Sequence, residues 1–199
     1  MKVRGFLLIN KLVIENLKHR WVRTLLSAAA VGVQVTMILT IVGLSSGTLD
    51  DLASRNRGAG ADILIRPPGS SIIGLSSAPI PAKVLDFVRG LPHVAIATGT
   101  TVHPIGGTNS VTGINLDEFS RMSGGFRFLS GGPFKNPNDV IIDDYWARQN
   151  RLKVGSEMKF MNRTWNVSGI VEPGKLSRTF LPIELLQDLS ANTNRLTML

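Results

Sequence analysis

The sequence contains no cysteine, which excludes disulfides, zinc-thiolate sites and thiol nucleophiles together. That absence does not fix a compartment, because an extracytoplasmic domain of this size can fold without bridges. Histidine is scarce: His19, His93 and His103 lie far apart and show no metal-ligand spacing. There is no GxxxxGK[ST] phosphate loop, so the chain is not expected to hydrolyse ATP itself. The pairs Gly106-Gly107, Gly124-Gly125 and Gly131-Gly132 read as loop punctuation. Asp143-Asp144 and Asp117-Glu118 are neighbours whose side chains point apart in a helix or a strand, and they read as helix starts or solvated surface. No catalytic, metal or cofactor-binding residues are therefore expected, and the chain does not read as an enzyme.

Charge is missing from one long stretch. From Thr24 through Leu49 the chain runs 26 residues without an ionisable side chain. As a helix this would extend roughly 39 Å, and a bilayer core needs about 20 such residues. Gln34, Thr36 and Thr40 are polar but uncharged, and a threonine hydroxyl can return a hydrogen bond to the helix backbone. Gly32 and Gly43, with Ala28 to Ala30, offer a small-residue surface suited to helix packing. The run is too long for the apolar core of a cleaved signal peptide.

The formal net charge is +8, of which +5 falls in residues 1–23. This is a basic end and not a basic domain, so nucleic acid is not an expected partner. Lys18, Arg20 and Arg23 precede the uncharged run, and Asp50 and Asp51 follow it. The positive-inside rule then puts the N-terminus in the cytoplasm and residues after about 48 outside, in the periplasm if the cell is Gram-negative. Residues 6–21 carry Phe6, Ile9, Val13, Leu17 and Trp21 on one helical side and Lys11, Glu15 and Lys18 on the other. Such a helix is expected to lie in the membrane interface, with Lys11, Lys18, Arg20, Trp21 and Arg23 as interface residues and the lipid bilayer as partner.

The expected organisation is residues 1–23 as a cytoplasmic basic amphipathic helix, 24–48 as a transmembrane helix and 49–199 as an extracytoplasmic domain. Beyond the span, a stalk continues the helix until Gly58 and Gly60 break it. A strand is expected over Asp62–Arg66, stopped by Pro67 and Pro68. Pro81 can start a helix carrying Val84, Leu85 and Val88 that ends at Gly90, and Val94–Val102 reads as a strand. Glu157–Val171 reads as a hairpin turning at Asn162 and Arg163, with Met158, Phe160, Trp165 and Val167 in a period-two pattern. Asp144–Gln149 and Ile183–Leu189 read as short helices. This irregular alternation of strands and helices indicates the α+β class.

The order of an amphipathic basic helix, then ENLKHRWVRTLLSAAAVGVQVTMILTIVGLSSG, then GADILIRPPGSS resembles the N-terminal part of ABC transporter permeases of the MacB/FtsX/LolCE class. The later segment NPNDVIIDDYWARQNRLKVGSEMKFMNRTWNVSGIVEP is similar to the MacB-like periplasmic core domain of that class. The resemblance implies a non-catalytic permease subunit that couples the motion of a separate ATP-binding subunit to its periplasmic domain. It also implies a permease homodimer, packed here through Gly32 and Gly43, and a periplasmic adaptor or substrate as a further partner. Against the family pattern, with three more membrane helices and more core domain, the chain reads as truncated: a fragment, a split gene or a degenerate paralogue. The alternative is a stand-alone membrane-anchored binding or sensor module.

Overall fold

The structure is a computed structural model that describes residues 15, 19–68, 70, 78–106 and 109–199. The chain divides into two compact units, residues 1–50 and 51–199. In the first, helix α1 begins at Trp21; it runs to Gly58 in the second unit and buries none of its side chains. It is long and apolar enough to cross a membrane. Thr36 and Thr40 donate their hydroxyls to the carbonyls of Gly32 and Thr36, at 2.8 and 2.7 Å. Their polarity is thereby absorbed within the helix. The amphipathic helix expected over residues 6–21 lies outside the described residues except for Glu15 and the last three positions.

The second unit is built on a mixed sheet. Its strands are β2 (Thr101–Gly106), β3 (Asn109–Ile114), β4 (Phe128–Gly131), β5 (Asp139–Asp143), β6 (Glu157–Phe160), β7 (Arg163–Val171) and β8 (Thr179–Pro182). The order is β2-β3-β8-β5-β7-β4, with β6 also paired to β7. Strands β3 and β8 are parallel, as are β5 and β7, and the remaining pairs are antiparallel. A small ladder joins β1 (Ile80–Pro81) to β9 (Arg195–Leu196). Among the described residues the unit also has four short helices: α2 (Lys83–Arg89), α3 (Leu116–Ser123), α4 (Asp144–Gln149) and α5 (Ile183–Leu189).

Every residue of β5 is buried, because apolar side chains pack on both faces of the sheet. Val140 and Ile142 join a cluster with Trp165, Val167, Leu181, Ala147 of α4 and Leu186 of α5. Ile141 points the other way, to Phe180, Val171 and Phe119 of α3. The register shift between Val140 and Ile141 lets β7 put Val167 and Ile170 in one cluster despite their odd spacing.

Asp143 and Asn115 cap α4 and α3 by accepting the backbone N–H groups of Trp146 (2.7 Å) and Glu118 (3.1 Å). Asp144 pairs with Arg148 one turn on, at 2.7 Å. The sequence-adjacent carboxylates are thus helix starts, as expected. The two short helices expected at 144–149 and 183–189 are also present.

Three expectations are corrected. Asp62–Arg66 forms no strand; only Ile65 pairs, exchanging both backbone hydrogen bonds with Leu199. Pro67 and Pro68 follow it, and neither has an N–H to extend the ladder. In Val94–Val102 the strand begins only at Thr101, since Val94–Gly99 is irregular behind His93, which adopts a left-handed φ of 70°. The hairpin turns at Met161 and Asn162, both left-handed at φ 52° and 55°, one residue earlier than expected. Two successive positive φ values match a two-residue turn to the strand twist. The earlier turn changes the partners, to Met158 with Trp165 and Phe160 with Arg163, but keeps the same faces.

Asp139 shows how a buried carboxylate holds this sheet. Burial opposes its charge, but the N–H groups of Lys135 and Asn136 at 2.7 and 2.9 Å outweigh it. They hold the carboxyl below its ordinary value of 3.8. A lowered folded-state value contributes stability above the unfolded value, and this is lost as pH falls through the folded value. Asp139→Asn, which keeps one acceptor oxygen, is expected to cost about 1 kcal/mol at neutral pH. In urea titrations the difference from the wild-type chain should shrink as pH falls below 3.8. A difference constant from pH 7 to pH 2.5 would contradict this account.

Candidate functional site

In the first unit, Arg20, Trp21 and Arg23 stand at the start of the helical run and are exposed, with Trp21 at 64%. Lys11 and Lys18 lie outside the described residues. Gly32 and Gly43 are eleven residues apart, about three turns, and so share one face of α1. A side chain built at either would meet nothing within 4 Å. Residues 21–50 of α1 are exposed on every side, this face included.

In the second unit, the last turns of α1, from Asp51 to Gly58, dock on the loop between β7 and β8. Asp51 accepts from Arg55 at 2.6 Å and from Arg178 at 3.3 Å. The Arg178 guanidinium lies over the Tyr145 ring of α4, 3.8 Å from its centroid. Its own carbonyl accepts the Asp143 N–H at 2.8 Å. One arginine therefore ties the helix foot, the loop and the start of α4 together.

The backbone closes the same joint. The Arg55 carbonyl accepts the Leu176 N–H at 3.1 Å. A Cβ on Gly58 would fall on the carbonyl oxygen of Gly174, so only glycine allows this approach. The loop is strained where it meets the helix: Leu176 has φ 36°, a region that bulky residues rarely occupy. Lys175 reaches in the other direction, donating to the carbonyl and hydroxyl of Ser123 at the end of α3, at 2.7 and 3.2 Å. Burial pulls its ammonium below the ordinary lysine value.

Asp143 lies beneath this joint. Burial pushes its carboxyl above the ordinary range, against the Trp146 N–H bond and the attraction of Arg178 and Arg55, while Asp51 adds to the rise. The sign is opposite to that of Asp139: protonating Asp143 stabilises the fold, so its contribution grows as pH falls through the raised value. Elsewhere, a hollow of about 250 Å³ is lined by Arg89, Val94 to Ala97, Glu118 and Arg121. There Glu118 is held by Arg89 at 2.7 Å. Among the described residues no group of three or more His, Cys, Asp or Glu side chains could hold a metal ion.

The cluster of Asp51, Arg178 and Tyr145 is not legible in the sequence, because Asp51 and Arg178 are 127 positions apart. A glycine at the predicted helix end, Gly58, was its one visible trace.

The sheet, its two-sided core and the apolar helix ahead of it find a match at family level. The family described as the MacB-like periplasmic core domain matches residues 24–198. This chain belongs to that family. The extracellular domain of the noncanonic ABC-type transporter YknZ from Gram-positive bacteria is similar in fold, at 17% identity and TM-score 0.50, over 68% of this chain and 79% of that one. So is the periplasmic region of MacB from Actinobacillus actinomycetemcomitans, at 13% identity and TM-score 0.52, over 71% and 74%. No curated protein matches the sequence significantly. The MacB-like core domain here is thus of the kind carried by ABC-type transporter permeases, joined to a helix able to cross a membrane.

Proposed function

We propose that the chain is a permease-type membrane subunit of an ABC transporter, non-catalytic itself, which couples the motion of an ATP-binding subunit to its extracytoplasmic core domain. The observation that carries this reading is the helix foot. An uncharged helix of spanning length runs on without a break into turns that are fastened to the core by Asp51, Arg55, Gly58 and Arg178. In this reading a displacement of the span reaches the β7–β8 loop through these turns.

In this reading residues 1–23 are cytoplasmic, 24–48 cross the inner membrane and 49–199 are extracytoplasmic. The charge flanks support that orientation. Arg20, Trp21 and Arg23, with Lys11 and Lys18, sit at the cytoplasmic interface. Gly32 and Gly43 let a second copy approach closely in a homodimer. A periplasmic adaptor or substrate would meet the core domain.

The absence of cysteine permits a single reporter. Arg57→Cys, exposed near the foot, is labelled with an environment-sensitive fluorophore. The tagged chain is then extracted in mild detergent from its own cells. ATP hydrolysis is expected to copurify, and the emission should change when ATP and Mg²⁺ are added. Disrupting the latch with Asp51→Arg should abolish that change and leave hydrolysis in place. A preparation that hydrolyses ATP while the foot stays indifferent to it would overturn the coupling.

A further inference from the structure

Helix α2 ends at Gly90, and the chain returns over residues 91–97 as a loop without helix or strand. Arg89 fastens the neck of this loop. Its Nε donates to the Ala97 carbonyl at 3.1 Å, and its guanidinium meets a carboxylate oxygen of Glu118, on α3, at 2.7 Å. The Thr98 hydroxyl donates to that same oxygen at 3.3 Å. The two ends of the loop are thus held to each other and to α3, which leaves little ordering for a partner to impose.

Between this loop and α3 lies the hollow lined by Arg89, Val94 to Ala97, Glu118 and Arg121. Its charges do not balance. Glu118 is committed to Arg89, whereas Arg121, one turn further along α3, is exposed and has no ion-pair partner among the described residues. Asp117, one turn before Arg121, is not part of the lining. The hollow therefore carries two cations against one anion. Its remaining wall, Val94 to Ala97, has no ionisable side chain, and Ile96 within it is 50% exposed. A complementary occupant brings one negative charge beside apolar surface. A guanidinium favours a carboxylate for that charge, because two oxygens match its parallel N–H groups.

Two observations set the kind of occupant. At about 250 Å³, the hollow is smaller than the roughly 300–1,000 Å³ of pockets that enclose a whole small ligand, so it suits a single side chain. The apolar surface also runs on past it: Leu91, whose carbonyl accepts the Val94 N–H at 3.4 Å, is 41% exposed, and Pro92 beside it is exposed too. A free acid small enough for the hollow would leave that surface in water. A polypeptide segment would cover it and gain from its burial.

We propose that the hollow receives an aspartate or glutamate side chain of a partner protein, carried on a segment whose neighbouring residues are apolar. Arg121 pairs with the carboxylate, and the apolar neighbours cover Ile96 and Leu91. Every residue involved lies in the second unit, so the site depends neither on reading α1 as a membrane span nor on the transporter role.

The test uses the full chain in nonionic detergent and a rhodamine-labelled peptide, Gly-Ser-Leu-Glu-Leu-Ser, capped at both ends so that glutamate is its one charge outside the dye. Fluorescence anisotropy is expected to show it binding roughly tenfold tighter than its glutamine counterpart. The preference should shrink as salt rises from about 50 to about 500 mM. Arg121→Gln should erase it, while Arg121→Lys, which keeps the charge without the fork, should retain part of it and so guards against a folding defect. Ile96→Ser should weaken both peptides alike. Equal binding of the two peptides, or a preference that survives Arg121→Gln, would overturn the proposal. So would displacement of the probe by N-acetyl-leucine as readily as by unlabelled peptide, which would make a small acid the occupant, or loss of binding as the chain is concentrated, which would make it a second copy.

Discussion

Trp165→Ala is expected to lower the stability of the second unit by about 3–5 kcal/mol, the usual cost of removing a large buried aromatic. Trp165 is fully buried at the centre of the larger core cluster. Its ring stacks on Phe160 at 5.0 Å, and its indole N–H donates to the Phe160 carbonyl at 3.0 Å. The substitution opens a cavity and leaves that carbonyl without its partner, while also loosening the β6–β7 pairing at Met158. Urea unfolding of the full chain in nanodiscs, followed by near-ultraviolet circular dichroism, measures the loss. A change below about 1 kcal/mol would mean that the sheet closes over the gap and that this cluster is not the keystone of the fold.

Gly58→Ala should have a smaller energetic cost, about 1–3 kcal/mol as for other overpacked sites, but a larger mechanical one. The added methyl must displace the Gly174 carbonyl, and with it the loop whose Leu176 N–H is bonded to Arg55. Hydrogen exchange at the Leu176 amide reports the joint directly. It should accelerate at least tenfold in the variant while amides in β5 keep their protection. Unchanged exchange at Leu176 would show that the loop accommodates the methyl and that the joint does not depend on glycine.

Much of the fold could be read from local pattern. The uncharged run, the helix stop at Gly58, the helices at 144–149 and 183–189 and the faces of the β6–β7 hairpin all express periodicity or capping, which are set by near neighbours. The misreadings share one physical origin. Asp62–Arg66 has strand-like residues but finds a partner only at Leu199, and a strand needs a neighbour that composition does not announce. The turn at Met161–Asn162 was missed because a methionine occupies a left-handed position, where its side chain is retained by packing on the core. The joint was invisible for a similar reason. Asp51 reads as a flank charge until Arg178 is brought to it by the loop.

The pairing of the last residues has a further consequence, for biosynthesis. Residues 195–199 supply β9 beside Ile80–Pro81, the bridge from Met198 to Thr100 and the pair of Leu199 with Ile65. The Thr197 side chain accepts from Val102 and donates to Thr100, across 95 and 97 positions. Each of these closures must wait until its own residue among 195–199 has left the ribosome. Contacts so distant in sequence are slow to form. If the unit is exported, it must thread the translocon as an open chain and close on the far side, where cytosolic chaperones cannot reach it.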